Sequence, residues 1–224
     1  MRPVAVSFSC TTTLTFSFYQ IFRSKSDRFF SHQMASSQKI SAPPNLDQSS
    51  ISILQDNPFA QQSSSSIHRH GLFAKINIPK GTRIIEYVGE KITKKQSWHR
   101  ATQWIEEARG TEDGSVYIFE LNSKYDIDGN VQWNPARYIN HSCKPNCEAQ
   151  VILGHIWIIA AKNIKEKTEL SYDYGYDIDN WEEHPCLCGH SKCVGYIVRK
   201  DQRKKLKKLI KKREAKRTGK KKQK

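Results

Sequence analysis

Apolar and polar positions alternate in many short segments of this chain, which is the period of β-strands. The segment "GLFAKINIPKGTRIIEYVGEKI" (residues 71–92) predicts two strands, at 72–76 and 83–88, joined by a Pro-Lys-Gly turn at 79–81. Further strands are predicted where aromatic and β-branched residues are frequent, at 115–121, 125–128, 147–153, 155–162 and 169–177. The Gly154-His155 pair lies between two of these segments and predicts a hairpin.

Helical spacing is found in one longer segment and one short one. Four apolar residues recur at helical intervals: Trp98, Ala101, Ile105 and Ala108. Thr93 can cap this helix, which we expect to run to about Arg109 and to stop at Gly110. Asn134 followed by Pro135 predicts a single short helical turn. We therefore expect a mainly β domain (a β-rich α+β fold) over residues 66–198, without internal repeats.

The N-terminal part of the chain, up to Ser66, differs in composition from the rest. Residues 35–66 are rich in Ser, Gln, Asn and Pro and are predicted to be a disordered linker, since they cannot bury enough apolar surface to become ordered. Residues 4–22 are uncharged and rich in Ser and Thr, and Asp27 is the single acid ahead of Ile40. Residues 1–34 are therefore interpreted either as a targeting peptide or as an extension ahead of a translation start at Met34.

The net charge of +15 is concentrated near the C-terminal end. Residues 199–224 contain 16 Lys and Arg against two acids, so the preceding residues are nearly neutral and a basic packaging protein is excluded. Three interpretations of this tail stay open. It is a solvated disordered charge run, a segment that binds nucleic acid through phosphates, or a basic amphipathic helix with Leu206, Leu209 and Ile210 on one face. The sequence contains no run of about 18 strongly apolar residues, so it predicts no transmembrane helix.

Five of the six cysteines lie between Cys143 and Cys193. The segment "CLCGHSKC" places Cys186, Cys188 and Cys193 close enough to occupy three corners of a zinc tetrahedron. Their spacing is unfavourable for a disulfide between neighbours, and thiolate ligands favour a reducing compartment. The fourth ligand stays open between His184 or His190 within the segment and Cys143 outside it.

Six short motifs occur in a fixed order between Ile67 and Ile197. They are "GLFA" (71–74), "EYVGE" (86–90), "YIFEL" (117–121), "ID" ahead of "ARYINHSCKPNC" (136–147), "ELSYDYG" (169–175) and Cys-x-Cys-x4-Cys (186–193). In this order they resemble the SET-domain family of protein-lysine N-methyltransferases, followed by that family's cysteine-rich post-SET segment. The resemblance implies a SET domain at 67–180, a post-SET zinc segment at 181–198 and a basic tail at 199–224.

The resemblance also implies the fold and the ligands. The fold is a set of small curved sheets in which "RYINHSC" and "YDYG" cross in a knot-like threading. S-adenosylmethionine binds on one face, and the target lysine of a protein, a histone or another nucleic-acid-associated protein, enters from the other. Cys143 is the fourth zinc ligand, together with Cys186, Cys188 and Cys193.

Cofactor contacts are implied for ten residues by the same resemblance: Arg69, His70, Gly71, Leu72, Tyr117, Arg137, Asn140, His141, Tyr174 and Leu187. Two positions depart from the family pattern. The family commonly has Gly-x-Gly where Arg69 now replaces the first glycine, and it often has Gly where Trp133 stands. These departures leave the shape of the loop and the packing near the pocket in question.

Tyr87, Tyr172 and Tyr174 are expected to form an aromatic channel around the target lysine, and Tyr174 is the expected catalytic hydroxyl. A free lysine, with a pKa of about 10.4, is protonated at neutral pH, but an apolar channel beside a sulfonium favours the neutral, nucleophilic amine. Tyr172 stands where the family has Phe or Tyr, and its hydroxyl leaves less room for added methyl groups. Chiefly monomethylation is therefore expected.

A second class of function is a catalytically silent chromatin- or nucleic-acid-binding protein that keeps the zinc-bound fold. The departures at Arg69 and Trp133 keep this alternative open, whereas the presence of Tyr174, Asn140 and His141 weighs against it. The expected cellular location depends on the organism. It is the nucleus and chromosome in a eukaryote, or the cytoplasm or export to a host cell in a bacterium, and organelle targeting is a further alternative.

Overall fold

The computed structural model describes residues 56–107 and 116–221, in which the strands are short and form four small sheets. The strands are β1 (Ala60–Ser64), β2 (His70–Ala74), β3 (Arg83–Tyr87), β4 (Glu90–Thr93), β5 (Ile118–Glu120), β6 (Tyr125–Asp128), β7 (Asn140–His141), β8 (Cys147–Ile152), β9 (His155–Ala160) and β10 (Ser171–Tyr172). The described helices are α1 (Lys94–Glu107) and α2 (Arg203–Lys221), with 3-10 turns at Pro135–Tyr138 and Trp181–Glu183. The expected mainly β fold is confirmed.

Part of the sequence-based expectation lies outside the described residues. This applies to the interpretations of residues 1–34, to the linker up to residue 55, to the side chain of Ile105, and to Ala108 and Gly110 at the end of the predicted helix.

The hairpin of β8 and β9 is the centre of the main core. Antiparallel pairing sets Ile158 opposite Ala149 of β8 and opposite Ile85 of β3. Ile156 and Ile158 are buried because their side chains lie on the face of β9 that meets the rest of the core. Leu170, which is fully buried in the same core, directly precedes β10. The core therefore supports the strand that carries the C-terminal tyrosines.

Strand β1 corrects the linker prediction. Residues 60–64, "AQQSS", pair with all five residues of β2, from Ala60 opposite Ala74 to Ser64 opposite His70. The Asn57 side chain fixes the start of this strand, since its Oδ1 accepts from the Phe59 and Ala60 amides at 2.8 and 2.9 Å. A polar edge strand held by backbone hydrogen bonds carries no apolar period, which explains why the pattern did not predict it.

Helix α1 confirms the Thr93 cap and corrects the predicted apolar stripe. The Thr93 amide donates to Gln96 Oε1 at 2.9 Å, and the Gln96 amide donates back to Thr93 Oγ1 at 3.3 Å, which is a capping box. Trp98, predicted to face inward, is 49% exposed, whereas Ser97 and Ala101 are buried. Ala101 packs with Ile92 and Ile118, so the inward face is rotated by one residue from the predicted one.

Three other elements differ from the prediction in their existence, their bounds or their cap, because hydrogen bonds decide them and composition does not. Strand β4 was not predicted, because its sequence "EKIT" has one buried apolar residue, yet it pairs with all of β6. The predicted strand at 169–177 reduces to the two residues of β10. Asn134 precedes the predicted short turn but does not cap it with its side chain, which instead donates to the Gly129 carbonyl at 3.1 Å.

A second apolar cluster joins the cysteine-rich segment to α2. Its buried members are Ile178, Trp181, Val198 and Leu206, with Val194, Tyr196 and Ile210 packed against them. The interpretation of the tail as a disordered charge run is therefore wrong for residues 203–221, because Leu206 is fully buried and anchors the helix. Within the described residues, no helix has both the length and the apolarity that a membrane crossing requires.

Candidate active site and metal centre

Two segments that are distant in sequence meet at the parallel pair of β7 and β10. Asn140 lies opposite Ser171, and His141 lies opposite Tyr172. Asn146 fixes the crossing from the side, since its Oδ1 accepts from the Ser171 amide and its Nδ2 donates to the Glu169 carbonyl, both at 2.8 Å. This pairing brings the "NHSC" and "SYDYG" segments together, as the knot-like threading requires.

Tyr174 is held by both segments. Its hydroxyl donates to the Ile139 carbonyl at 3.0 Å, and its amide donates to His141 Nδ1 at 3.2 Å. The His141 and Tyr174 rings meet edge to face with centroids 5.4 Å apart, and the Tyr172 ring lies 4.9 Å from Tyr174. The phenol is therefore fixed beside the Asn140-His141 pair.

A continuous aromatic wall extends from Tyr174 into the core. Phe119 lies between Tyr172 and Tyr87, with ring centroids 6.0 and 5.2 Å away. Tyr87 donates to the Tyr117 carbonyl at 2.8 Å. The Tyr87 ring also lies against the backbone of Gly129, where a Cβ atom would come within 2.4 Å of it. All three tyrosines of the expected channel therefore belong to one wall.

Burial keeps these phenols neutral. Desolvation, with smaller contributions from neighbouring tyrosines, raises the pKa of Tyr87, Tyr172 and Tyr174 well above 10. Each hydroxyl is consequently protonated at neutral pH and can donate a hydrogen bond, but it cannot serve as an anionic base. The wall lowers the local polarity without adding a charge.

Asn140 lies in a polar network that sequence reasoning did not identify. Its amide nitrogen is 2.8 Å from Glu169 Oε1, 2.9 Å from the His70 carbonyl and 3.1 Å from Ser65 Oγ. Ser65 Oγ in turn donates to Glu169 Oε1 at 2.7 Å. Gly71 leaves room for this carboxylate, because a Cβ there would come within 2.5 Å of Glu169 Oε1. The one sequence signal that could have identified Glu169 is its place as the first residue of the "ELSYDYG" motif.

The loop before β2 keeps a glycine-like backbone despite its altered sequence. Arg69 has a φ of 37°, in the left-handed region that glycine adopts without cost. His70 presents its ring edge to face with Tyr138 at 6.0 Å, while Leu72 is buried and its carbonyl accepts from the Leu170 amide at 2.7 Å. Trp133, the second departure, is also buried. Both departures are thus accommodated by the fold.

Arg137 offers an unsatisfied donor. Its guanidinium lies over the Tyr117 ring at 5.5 Å and the Tyr138 ring at 5.0 Å. Its buried Nε has no hydrogen-bond partner among the described residues. Because a buried donor is costly to leave unpaired, this nitrogen fits an acceptor on a bound group. Leu187 is 64% exposed and lies between two of the clustered cysteines, Cys186 and Cys188.

The four cysteine sulfurs of Cys143, Cys186, Cys188 and Cys193 lie within 4.8 Å of one another. Cys143 Sγ is 3.9 Å from Cys186 Sγ and 3.7 Å from Cys193 Sγ. A tetrahedral site with Zn–S bonds of about 2.3 Å has sulfur–sulfur edges of about 3.8 Å, so the spacing fits zinc. The hydrogen bond between the Cys143 and Cys186 sulfurs lowers the pKa of the Cys143 thiol and raises that of the Cys186 thiol, as expected for two thiols held in close contact.

The two histidines considered as fourth ligands have other partners. The His184 ring packs edge to face against Tyr176 at 4.6 Å, and burial lowers its pKa. His190 Nδ1 accepts from the Lys192 amide at 3.0 Å. Of the alternatives left open by the sequence, the arrangement therefore favours Cys143.

Residues 69–175 match the family model described as "SET domain". "Histone-lysine N-methyltransferase, H3 lysine-4 specific" from Chaetomium globosum is 37% identical over 139 residues, covering 59% of this chain and 12% of that protein. The protein of the same name from Schizosaccharomyces pombe is 38% identical over 137 residues, covering 59% and 14%. "Histone-lysine N-methyltransferase 2D" from Homo sapiens is 38% identical over 134 residues, covering 58% and 2%. The chain thus spans only a small part of these relatives' length.

Proposed function

We propose, from the premise that residues 69–175 form a SET domain, that the chain transfers a methyl group from S-adenosylmethionine to the ε-amine of a lysine in a histone. The observation that carries this proposal is the convergence of Tyr174 with the Asn140-His141 pair at the β7–β10 crossing. The silent binding protein is not favoured, because the relatives are named as methyltransferases and the fold accommodates Arg69 and Trp133.

The cofactor would be held by residues at one side of the crossing. Arg137 Nε is a buried donor that finds no partner in the described part of the chain, and the Asn140 amide and the backbone of residues 69–72 lie in one hydrogen-bonded network. When bound, S-adenosylmethionine supplies an electrophilic methyl group on a positively charged sulfonium. His141 and Tyr117 complete the proposed set through ring contacts with Tyr174 and Arg137.

The aromatic wall prepares the nucleophile. A lysine ε-amine attacks only when it is neutral, and its proton must first leave to solvent. The apolar faces of Tyr87, Phe119 and Tyr172 exclude water and disfavour the ammonium form. Tyr174, held between the Ile139 carbonyl and His141, would orient the reacting groups for an in-line transfer.

Tyr172 would set the number of methyl groups that the target lysine receives. This residue is 8% exposed and its ring lies between Phe119 and Tyr174. Since its ring is a member of the aromatic wall around the proposed channel, its hydroxyl would face the lysine head group. Space taken by this oxygen limits further methyl groups, which supports chiefly monomethylation.

Zinc bound by the four thiols would have a structural role. Cys143 follows the Asn140-His141 segment closely, whereas the other three cysteines lie far along the chain, between Cys186 and Cys193. A single ion would therefore fasten the post-SET segment over the crossing, as structural zinc sites with four cysteines do.

Helix α2 supports a nucleic-acid contact. Its docked stripe consists of Arg203, Leu206, Ile210 and Arg213, which occupy an arc of about 80° at 100° per residue. Six lysines are exposed across the opposite arc of about 160°: Lys204, Lys205, Lys207, Lys208, Lys211 and Lys212. A face of six positive charges within about 12 Å suits a phosphate backbone better than a lipid surface, which needs an exposed apolar stripe. A chromatin location in the nucleus of a eukaryote is consistent with this contact.

Label transfer from S-adenosylmethionine tests the proposed activity. The full chain is incubated with the labelled donor and the separate core histones, because the relatives are named for lysine-4 of histone H3. Label on H3, absent from H3 whose lysine-4 is replaced by arginine, is the expected result. Label on another histone would overturn the lysine-4 assignment alone. No label on any histone, together with no donor binding in calorimetry, would overturn the methyltransferase.

A further inference from the structure

Arg203, the first residue of α2, lies 28 positions beyond the end of the SET-domain match. Its guanidinium makes three hydrogen bonds to separate parts of the chain. Nε donates to the Val198 carbonyl at 2.8 Å, Nη1 to the Cys143 carbonyl at 2.7 Å, and Nη2 to Asp173 Oδ2 at 2.6 Å. The side chain is 11% exposed. A guanidinium so enclosed, with all three nitrogens engaged, acts as a fixed clamp.

The groups that Arg203 holds belong to the site. Asp173 lies between Tyr172 and Tyr174 in sequence, and its Oδ1 is 3.7 Å from His141 Nδ1. The same Oδ1 accepts from the Gly175 amide at 3.1 Å, which shapes the end of the tyrosine segment. Cys143 carries one of the four metal-centre thiols. One side chain of the tail therefore connects the tyrosine segment to the thiol loop.

The helix that carries Arg203 is anchored independently. Leu206 is fully buried in the second apolar cluster, and Gln202 Oε1 accepts from the Ile178 amide at 2.8 Å. Arg213, further along the helix, lies over the Trp181 ring at 5.3 Å and pairs with Glu182. The Leu206 and Gln202 contacts fix where the clamp sits, whereas the Arg213–Glu182 pair is exposed and lies ten residues beyond Arg203.

We propose that Arg203 is a positioning residue of the active site, so that the start of the basic helix is a part of the methyl-transfer machinery. The inference rests on the proposed function. Without the guanidinium, the Asp173 carboxylate and the Cys143 carbonyl lose their charged partner, and the segment bearing Tyr172 and Tyr174 loosens against the thiol loop. Since a misplacement of about 1 Å can cost about 100-fold in rate, the effect should fall on kcat.

The test compares Arg203→Met with Arg213→Met in the full chain. Both remove one arginine from the same stripe of α2, but only Arg203 contacts the site. We expect Arg203→Met to lower kcat by about 10- to 100-fold with little change in the KM of the histone substrate, and Arg213→Met to change kcat less than about twofold. Arg203→Lys keeps the charge but cannot reach three acceptors in a planar fork, so it should recover little of the rate.

Chemical rescue separates positioning from general stability. Arg203→Ala leaves a guanidinium-sized space at a slightly exposed position, so added ethylguanidinium should restore part of kcat, whereas Arg213→Ala should not respond. Release of zinc to a chelator gives a readout that does not depend on activity, and it should be faster for Arg203→Met than for Arg213→Met.

A failure of the Arg203 proposal can be told apart from a failure of the proposed methyltransferase activity. If the unmodified chain transfers no label, the methyltransferase fails, and the zinc-release comparison still decides whether Arg203 supports the thiol loop. If the unmodified chain is active and the Arg203 variants match the Arg213 variants in kcat and zinc release, the clamp has no positioning role. If Arg203→Met does not fold, Arg203→Lys is judged by the same kcat and zinc-release criteria.

Discussion

Tyr174 and Ile139 are joined by a 3.0 Å hydrogen bond from the phenol to the backbone carbonyl, across 35 positions of sequence. Ile139 is buried directly before β7, and Tyr174 follows β10 closely. The catalytic candidate is therefore oriented by the other segment of the crossing. Its position depends on tertiary structure, not on the motif in which it stands.

Replacing Tyr174 with Phe should lower kcat by about 10²- to 10⁴-fold, the usual cost of removing a positioned catalytic group. The ring and its contacts with His141 and Tyr172 remain, so the lost hydrogen bond should cost only about 1 kcal/mol of stability. Tyr125→Phe, a change of the same kind in β6, is the control and should leave kcat within about twofold. Near-normal turnover by a folded Tyr174→Phe chain would remove the catalytic assignment.

Replacing Tyr172 with Phe should shift the products from monomethyl to dimethyl and trimethyl lysine. The substitution removes one oxygen from a wall whose neighbouring rings, Phe119 and Tyr174, stay in place. Mass spectrometry of a histone peptide after matched extents of reaction provides the measurement. Abundant trimethyl lysine from the unmodified chain would contradict the role given to this hydroxyl.

Replacing Leu153 with Asn should stabilise the chain without affecting activity. Leu153 and Gly154 form the β8–β9 turn with φ values of 51° and 83°, and Leu153 is 96% exposed. A turn with both φ values positive favours Asn-Gly, and relief of the left-handed leucine is worth about 1 kcal/mol. A rise in Tm of about 2–4 °C is expected, whereas Leu153→Ala keeps the unfavourable φ and should gain nothing.

Local motifs were enough to predict a thiol cluster and the meeting of two motif segments, but they did not predict the individual contacts between distant residues. The Cys186–Cys193 spacing predicted a metal cluster, and the order of motifs pointed to Asn140, His141 and Tyr174. The fourth ligand stayed open because Cys143 lies 43 positions from Cys186. Strand β1 was missed because backbone pairing holds a polar sequence that has no apolar period.

The clamp formed by Arg203 is a second example of contacts between distant segments that the sequence does not predict. In sequence, Arg203 is one of 16 basic residues in the tail, and its neighbours do not distinguish it. Its partners Asp173 and Cys143 are 30 and 60 positions away. A charge run is normally solvated, so composition favoured an exposed tail, whereas Leu206 is buried against Ile178, Trp181 and Val198, and Arg203 is only 11% exposed.

Removal of zinc should abolish methyl transfer and lower Tm. The full chain should contain about one zinc ion, and Cys188→Ala should lose it, because a structural site needs four ligands. Cys147→Ala is the matched control. Cys147 lies outside the cluster of four sulfurs, and its buried thiol donates to Asn146 Oδ1 at 3.4 Å. Metal analysis that finds no zinc in the unmodified chain, or equal zinc in both variants, would contradict the assignment.

Neutralising one face of α2 should weaken binding to duplex DNA and flatten its salt dependence. Lys204, Lys208 and Lys211 lie on the same side of the helix, opposite buried Leu206. Each phosphate contact contributes about 0.9 to the slope of log K against log salt, so the triple change to Gln should reduce the slope by up to about 3.

The matched control for that experiment removes three exposed lysines elsewhere, Lys80, Lys124 and Lys165, and so leaves the net charge equal to that of the helix variant. If affinity depended only on net charge, the two triple variants would lose it equally. A local binding face instead predicts that the slope falls in the helix variant alone, because counterions are released only where phosphates are contacted. Equal slopes in the two variants would therefore rule out α2 as the binding face.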